Sequence, residues 1–319
     1  MRLHLHSHNP GKLRTVVQLV SSVRKRAVFR FSPRNLVVFT PDGRADGEPQ
    51  VWCQIKLKSV FAHADIRSLR DNVVELELVA DQVAQVLKMF DQDMAASLSI
   101  KLVAEAKTAP AASGAASGAP STTSSSSGSR SRASLCFSYA APSAVGSDLT
   151  RTFKIPVKVC GRNSPLARLE PPPVSRYSSA VELAPAFIHT YSRLEKFRKS
   201  GEALQISVGS DDPGMAFRLE DDGRCVVTLW YKDELKRVSF DPQADDLRHA
   251  VITGADGAGA EGAVASVKIG DWLGTRRVLS VCRTNFLMFA GRDCVVHSWL
   301  DDDNDDVEIK YYLSGYRYE

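Results

Sequence analysis

The sequence contains no long hydrophobic run. No apolar stretch approaches the roughly 20 residues that a membrane-spanning helix requires. The N-terminus is rich in histidine and strand-like, so it indicates neither a membrane span nor a secretory signal. We therefore expect an intracellular protein that has no membrane partner.

Several signatures of catalysis are also missing. The sequence has no GxxxxGK[ST] phosphate loop, no nucleophile elbow and no dinucleotide-binding fingerprint. Its six cysteines are scattered and form no CxxC pair of the kind found in zinc and redox sites. Because Cys53, Cys225 and Cys294 lie inside apolar, strand-like runs, reduced core thiols are expected.

Charge is almost balanced in number but uneven in distribution. The net charge of +4 at pH 7 does not by itself predict nucleic-acid binding. Acidic residues gather in loop-like runs such as 301–306, whereas lysine and arginine concentrate on two predicted helices. This segregation predicts one positive surface on a molecule that is otherwise near neutral.

A similar order of elements occurs twice along the chain. A strand at 2–7 leads into a helix at 12–26, and a strand near 180–183 leads into a helix at 185–199. Each helix has an apolar stripe and a basic opposite face. A single helix of this kind is best explained as a core-packed helix with a solvated outer face. Two such helices at matching places in a repeat instead favour a positively charged surface that lies along a polyanion.

The remaining pattern indicates the fold class. Short β-branched or alternating runs predict strands through most of each half, with further helices at 81–90 and, more weakly, at 271–281 around Gly274. Neither half shows the regular strand and helix alternation of a doubly wound parallel sheet. We therefore expect an α+β fold with large antiparallel sheets.

Composition divides the chain into two predicted domains, 1–160 and 180–319. Residues 104–132 are almost entirely Ala, Ser, Gly, Thr and Pro, which predicts a disordered loop within the first domain. Residues 241–262 predict a similar insertion in the second domain. Residues 161–179 contain consecutive prolines and predict a semi-rigid connector.

Histidines near the N-terminus raise an alternative function. His4, His6 and His8 form an HxHxH pattern, and HxH at the end of a first strand begins the site of many metal-dependent hydrolases. The other histidines lie in settings that do not suit further ligands: His63, His189, His249 and His297. A partly exposed strand face is therefore preferred, and no catalytic residue, metal or cofactor is predicted. Metal analysis after chelation distinguishes the two hypotheses.

Pro156 lies inside the strand-like run 153–159. Since proline has no backbone N–H, it cannot donate to a ladder, and the run is predicted to be an edge or bulged strand. An exposed apolar edge favours coverage by a partner, although coverage by the chain's own loop is an alternative of nearly equal weight.

Several strand-like runs together carry a resemblance to a known family. They are 29–33, 36–39, 51–53, 74–78, 153–159 and 307–313. Their order and spacing resemble the Hus-type subunit of the heterotrimeric DNA-damage checkpoint clamp, the nine-one-one complex. The resemblance covers nearly the whole chain outside the insertions. The family is similar in fold to the replication sliding clamp (PCNA), and its members are not enzymes.

The resemblance implies a ring of six clamp domains, two from each subunit, with helices lining the bore and continuous sheet outside. DNA in the bore would be held by its phosphates, without base readout. The residues to which the resemblance assigns this role are Lys12, Arg14, Lys25, Arg26, Arg193, Lys196 and Lys199, with Arg276 and Arg277 as lesser candidates.

The resemblance also implies partners. Strand edges would join neighbouring subunits through Phe153, Ile155, Pro156, Val157, Val226, Thr228 and Trp230. The implied partners are two other Rad-type clamp subunits, double-stranded or primer–template DNA, a clamp loader, and repair and checkpoint clients. The implied location is the nucleus. A replication-type ring of three identical copies is the alternative within the same fold.

Overall fold

The computed structural model describes residues 1–41, 47–104, 133–142, 149–172, 177–209, 214–221, 225–231, 235–238, 252–253, 262–301 and 306–316. The loop predicted at 104–132 and the insertion predicted at 241–262 lie largely outside the described residues.

Strands are the most common element of the described chain. In chain order they are β1 Arg2–Ser7, β2 Arg26–Phe31, β3 Asn35–Phe39, β4 Gln50–Lys56, β5 His63–Arg67, β6 Val74–Val79, β7 Leu98–Ala104, β8 Ala133–Ala141, β9 Leu149–Val159, β10 Ser179–Glu182, β11 Ala203–Val208, β12 Met215–Asp221, β13 Cys225–Tyr231, β14 Arg237–Val238, β15 Ile252–Thr253, β16 Ala263–Lys268, β17 Thr284–Ala290, β18 Asp293–Trp299 and β19 Val307–Leu313.

Helices are fewer and mostly short. They are α1 Gly11–Val23, α2 Ala80–Gln92, α3 Ile188–Leu194, α4 Ile269–Gly274 and α5 Arg276–Val281. Single 3-10 turns at Pro185–Phe187 and Glu195–Phe197 extend α3 at both ends. No helix in the described ranges is both long enough and apolar enough to cross a membrane.

The strands form two antiparallel sheets. The larger has the order β15-β14-β10-β17-β18-β19-β4-β3-β2-β6-β9-β8-β7-β1-β5, and the smaller has the order β13-β12-β11-β16. The larger sheet runs from one half of the chain into the other, because β19 pairs with β4 and places Ile309 opposite Cys53. The predicted α+β class with large antiparallel sheets is confirmed.

Alternation along the strands separates two apolar clusters. One face carries the helix-side core, in which Phe29 and Phe31 of β2 join the buried stripe of α1. The opposite face carries the outer cluster, whose members are Val28, Phe39, Trp52, Ala180, Phe286, Met288, Val295, Trp299 and Tyr312. Helices therefore cover one face of the large sheet, and the outer cluster occupies the other.

The helices form one continuous layer. α1 packs against α2 on one side and against α5 on the other, and α5 packs against α3 and α4. The order α2-α1-α5-α3 thus crosses from the N-terminal half to the C-terminal half. We call this row of helices, with the turns that follow α1 and α3, the helix layer.

Two predicted helices have different boundaries in the structure. α1 ends at Val23, whereas the sequence predicted Arg26, because Arg24 is already extended (φ −146°, ψ 143°) and Arg26 begins β2. The helix predicted at 271–281 is two helices that meet at Thr275. Gly274 is needed there, since a Cβ would lie 2.7 Å from the Tyr311 hydroxyl oxygen.

Candidate nucleic-acid interface and assembly edges

Lys12 stands at the start of α1 and is held by carboxylates from the other half of the chain. Its Nζ lies 2.7 Å from Asp301 Oδ2 and 2.8 Å from Asp306 Oδ2. Burial alone would lower the pKa of Lys12, but the hydrogen bonds to both carboxylates outweigh it and raise the pKa. The positive charge of Lys12 is therefore already balanced by carboxylates of the same chain.

Two arginines near Lys12 also form ion pairs with carboxylates: Arg14 within α1, and Arg24 directly after its last residue. Arg14 forms an ion pair with Asp91 of α2, and Arg24 forms one with Glu48. The Arg14 side chain is 37% exposed and that of Arg24 is 25% exposed. The basic face predicted for the first helix is thus largely neutralised by neighbouring acids.

Lys25 and Arg26 do not lie on the helix, contrary to the sequence-based expectation. Lys25 is exposed in the short turn between α1 and β2. Arg26 is the first residue of β2, where Ala27 points into the helix-side core and Arg26 therefore points to the opposite face. There its guanidinium bonds Glu77 at 3.0 Å. The expectation that Arg26 shares a face with α1 was wrong, because the strand begins earlier than the helical pattern suggested.

The C-terminal half presents unpaired cations on its part of the helix layer. Arg193 of α3 is exposed, as are Lys196 and Lys199 in the turns that follow it. Arg276 and Arg277 of α5 are exposed as well. Within the described ranges, none of these cations has an ion-pair partner. The acid beside them, Glu195, is paired with Arg198 at 3.3 Å.

One exposed cation of the helix layer was missed by sequence reasoning. Lys88 of α2 is exposed and has no ion-pair partner in the part of the chain that the structure describes. It lies opposite the buried stripe of α2, which includes Val83, Val86 and Leu87. The same helical spacing that revealed the stripe could have revealed Lys88.

The predicted connector lies on the sheet face opposite the helices. Leu166, Leu169 and Tyr177 pack against the outer cluster. Arg30 of β2 donates to the carbonyl oxygens of Leu166 and Leu169 at 3.3 and 2.9 Å. The same guanidinium bonds the buried carboxylate of Glu75 at 2.6 Å. The connector is thus fixed to the outer face by apolar packing and by one arginine.

β9 changes neighbours along its length. Residues 149–157 pair with β8, and only Lys158 and Val159 pair with β6. The other edge of 149–157 has no strand partner among the described residues. Pro156 lies in this stretch, so the predicted edge holds locally, whereas β9 as a whole is an interior strand between β6 and β8. Ile155 is buried, whereas Phe153 and Val157 are half-buried beside the open edge.

β13 supplies a second open edge in the other half. Within the described structure it pairs only with β12, at the end of the smaller sheet. Thr228 is exposed, and 51% of Trp230 is exposed. The backbone of Val226 pairs opposite Glu220, while its side chain lies outside the described set.

The N-terminal histidines form a surface group and not an enclosed site. His4 and His6 point to the outer side of β1, with ring centroids 4.4 Å apart, and the ring of His63 lies 6.3 Å from that of His6. The residues that the structure describes contain no group of three or more side chains arranged to hold a metal ion. This geometry gives the hydrolase alternative no support.

Comparison with known proteins identifies the family. The sequence matches the family described as Hus1-like protein over residues 1–317. The chain belongs to the Hus1-like family. A stretch of 97 residues of this Hus1-like protein is 32% identical to the DNA damage checkpoint control protein MEC3 of Eremothecium gossypii. That match covers 28% of this chain and 25% of MEC3, so it spans about a quarter of the curated relative.

The structural comparison shows the fold of this Hus1-like protein. It is similar to the proliferating cellular nuclear antigen of Entamoeba histolytica, with a TM-score of 0.62, 12% identity and 99% coverage of both chains. At this low identity the likeness shows the fold alone, which is that of a sliding clamp. The resemblance and the clamp fold predicted from the sequence are confirmed.

Proposed function

We propose that this Hus1-like protein is a non-enzymatic subunit of a ring-shaped DNA-damage checkpoint clamp that encircles DNA. One observation carries the proposal: a single helix layer with exposed cations lies on one side of a sheet that continues through both halves. In a ring closed by neighbouring subunits, such a layer on the inner side places its cations around a polyanion. We also propose domains at 1–160 and 180–319, joined by the connector 161–179.

Contacts with DNA in such a ring are made to phosphates. Lysine and arginine side chains at the bore attract the backbone of either strand and read no base edges, so binding is independent of sequence and sensitive to salt. Contacts of this kind also permit the ring to slide. The exposed cations of α3 and α5 support this role, together with Lys88.

Among the open strand edges, we assign ring closure to those of β9 and β13, the two strands to which the resemblance gives this role. β9 belongs to the N-terminal half and β13 to the C-terminal half, so each half offers one strand with an open edge to a neighbour. An added strand satisfies the free backbone N–H and C=O groups of such an edge. Trp230 stands beside the second edge and supplies a large side chain for burial in the contact.

The proposed partners follow from the family. They are two different clamp subunits of Rad type, a clamp loader, and repair and checkpoint clients that approach the connector, with the nucleus as the place of action. A ring of three identical copies remains the second candidate, because β9 and β13 of one chain are both open and permit head-to-tail closure.

Native mass spectrometry of the complex captured through this chain tests the proposal. We expect one copy of the chain with two different clamp-fold subunits in equal amounts. Three copies of this chain alone would instead support the homotrimeric ring. A monomer under conditions in which the partner chains are present would contradict both rings.

A further inference from the structure

The cations of the helix layer differ between the two halves in how they are paired. In the N-terminal half, Lys12, Arg14 and Arg24 are all bound to carboxylates. In the C-terminal half, Arg198 is paired with Glu195, whereas the other exposed cations of the helix layer have no such partner among the described residues. These unpaired cations are Arg193, Lys196, Lys199, Arg276 and Arg277.

We propose that contact with the DNA backbone is asymmetric, with the C-terminal half of the subunit making most of the phosphate contacts. This inference rests on the clamp function proposed above. In the N-terminal part of the helix layer, Lys25 and Lys88 are the cations with no ion-pair partner among the described residues, and Lys12, Arg14 and Arg24 form ion pairs within the chain that position α1.

The charge around Lys12 argues against a phosphate contact there. The Lys12 Nζ already bonds two carboxylates, that of Asp301 at 2.7 Å and that of Asp306 at 2.8 Å. A phosphate approaching Lys12 would also approach both carboxylates at close range. Lys12 would have to give up two short hydrogen bonds to bind it. Arg14 and Arg24 are neutralised one for one by Asp91 and Glu48.

The positions of these pairs explain why they would be kept. Lys12 connects α1 to Asp301 and Asp306, which lie between β18 and β19 of the other half. Arg14 connects α1 to α2. Since α1 is the central helix that touches both α2 and α5, these ion pairs fix the helix layer where the two halves meet.

The unpaired cations of the C-terminal part of the helix layer are available to a phosphate, unlike Lys12, Arg14 and Arg24. Each is exposed and brings a full positive charge that no carboxylate offsets in the described structure. When such a side chain neutralises a phosphate, a condensed counterion is released from the DNA, and the salt dependence of binding steepens by about 0.9 per contact. The change in this slope between variants therefore measures how many of the substituted cations contact phosphates.

The test uses the assembled complex and short duplex DNA, with the logarithm of the binding constant measured against the logarithm of salt concentration. One variant carries Arg193→Gln, Lys196→Gln, Arg276→Gln and Arg277→Gln. The matched variant carries Lys12→Gln and Arg14→Gln. We expect the first to reduce the slope by about 3.6, or about 0.9 for each of its four substitutions, and the second to change it by less than about 0.5. A reduction of about 0.9 for each substitution in the second variant, or no reduction by the first, would overturn the asymmetry.

The substitutions at Lys12 and Arg14 remove ion pairs and could disturb folding, so a third variant keeps Lys12 and removes its acidic partners instead. Asp301→Asn with Asp306→Asn releases Lys12 without removing it, and the slope should steepen by about 0.9 as Lys12 becomes available to a phosphate. An unchanged slope would show that Lys12 was already in contact with DNA or never comes near it, and would contradict the role of the acids. Absence of salt-dependent binding by the unmodified complex would instead refute the proposed clamp function itself.

Discussion

Glu75 of β6 is a buried carboxylate between two arginines, and its removal offers a sharp test of the outer face. Its side chain is 1% exposed and lies 2.6 Å from Arg30 Nε and 3.0 Å from an Arg70 nitrogen. Arg30 also holds the connector through the carbonyl oxygens of Leu166 and Leu169. Glu75→Ala removes the shared acceptor and leaves both guanidinium groups without their partner. We expect lower stability and a loosened connector.

The size of the effect follows from burial. Removing one member of a buried ion pair costs about 3–5 kcal/mol. The Arg30 and Arg70 side chains remain 21% and 26% exposed, so water can rehydrate part of each. We therefore expect about 3 kcal/mol, at the low end of that range. Glu77→Ala is the matched control, because its partners Arg26 and Lys158 are 68% and 60% exposed. The Glu77 side chain is itself 10% exposed, but both cations that bond it stay largely hydrated, so we expect a loss of about 1 kcal/mol.

Urea unfolding of the purified chain, followed by tryptophan fluorescence, measures both variants under the same conditions. Limited proteolysis reports the connector, which should be cut faster in Glu75→Ala than in Glu77→Ala. Equal losses of unfolding free energy in the two variants would refute the reasoning. So would unchanged proteolysis of the connector, since Arg30 would then not depend on Glu75 for its orientation.

Three further predictions concern the edges and the core. Trp230→Ala should weaken association with the neighbouring subunit roughly 30-fold in sedimentation analysis, as for a central aromatic contact, and unchanged association would contradict this. Burial would raise the pKa of Glu308, but the hydrogen bond from His297 and nearby cations lower it to about 2. Its stabilisation is therefore present above about pH 4.5 and lost as the pH falls toward 2. Glu308→Gln should flatten the pH dependence of unfolding over that interval, and an unchanged dependence would oppose this role. Burial raises the pKa of Cys282 to about 12, so alkylation should reach the half-exposed Cys136 first, and early labelling of Cys282 would be inconsistent with the core.

Local signals in the sequence were enough to predict much of the fold. The stripe of α1 was predictable because Leu13, Val16, Val17 and Val20 recur at helical spacing, and the structure buries all four. The open edge along part of β9 was predictable from Pro156, since proline cannot donate to a ladder. In both cases the covalent chemistry of the residues restricts the outcome before any distant contact forms.

The state of the candidate site could not be predicted in the same way. Lys12 is far in the sequence from Asp301 and Asp306, and the pairing of β19 with β4 brings the segment that holds these two acids beside α1. The boundary at Arg26 was missed because a strand pattern follows the helical pattern almost without interruption. Whether a cation has an ion-pair partner therefore depends on long-range contacts. For this reason the sequence predicted more unpaired cations on α1 than the structure shows.

Retention on circular DNA tests the central claim most directly. The complete complex is loaded by its clamp loader onto closed circular DNA, washed in high salt, and the amount retained is measured before and after a single double-strand cut. A ring that encircles DNA should remain on the closed circle and slide off once the DNA is linear. Equal retention on both forms, or equal loss from both, would contradict the proposal that this subunit helps to enclose the duplex.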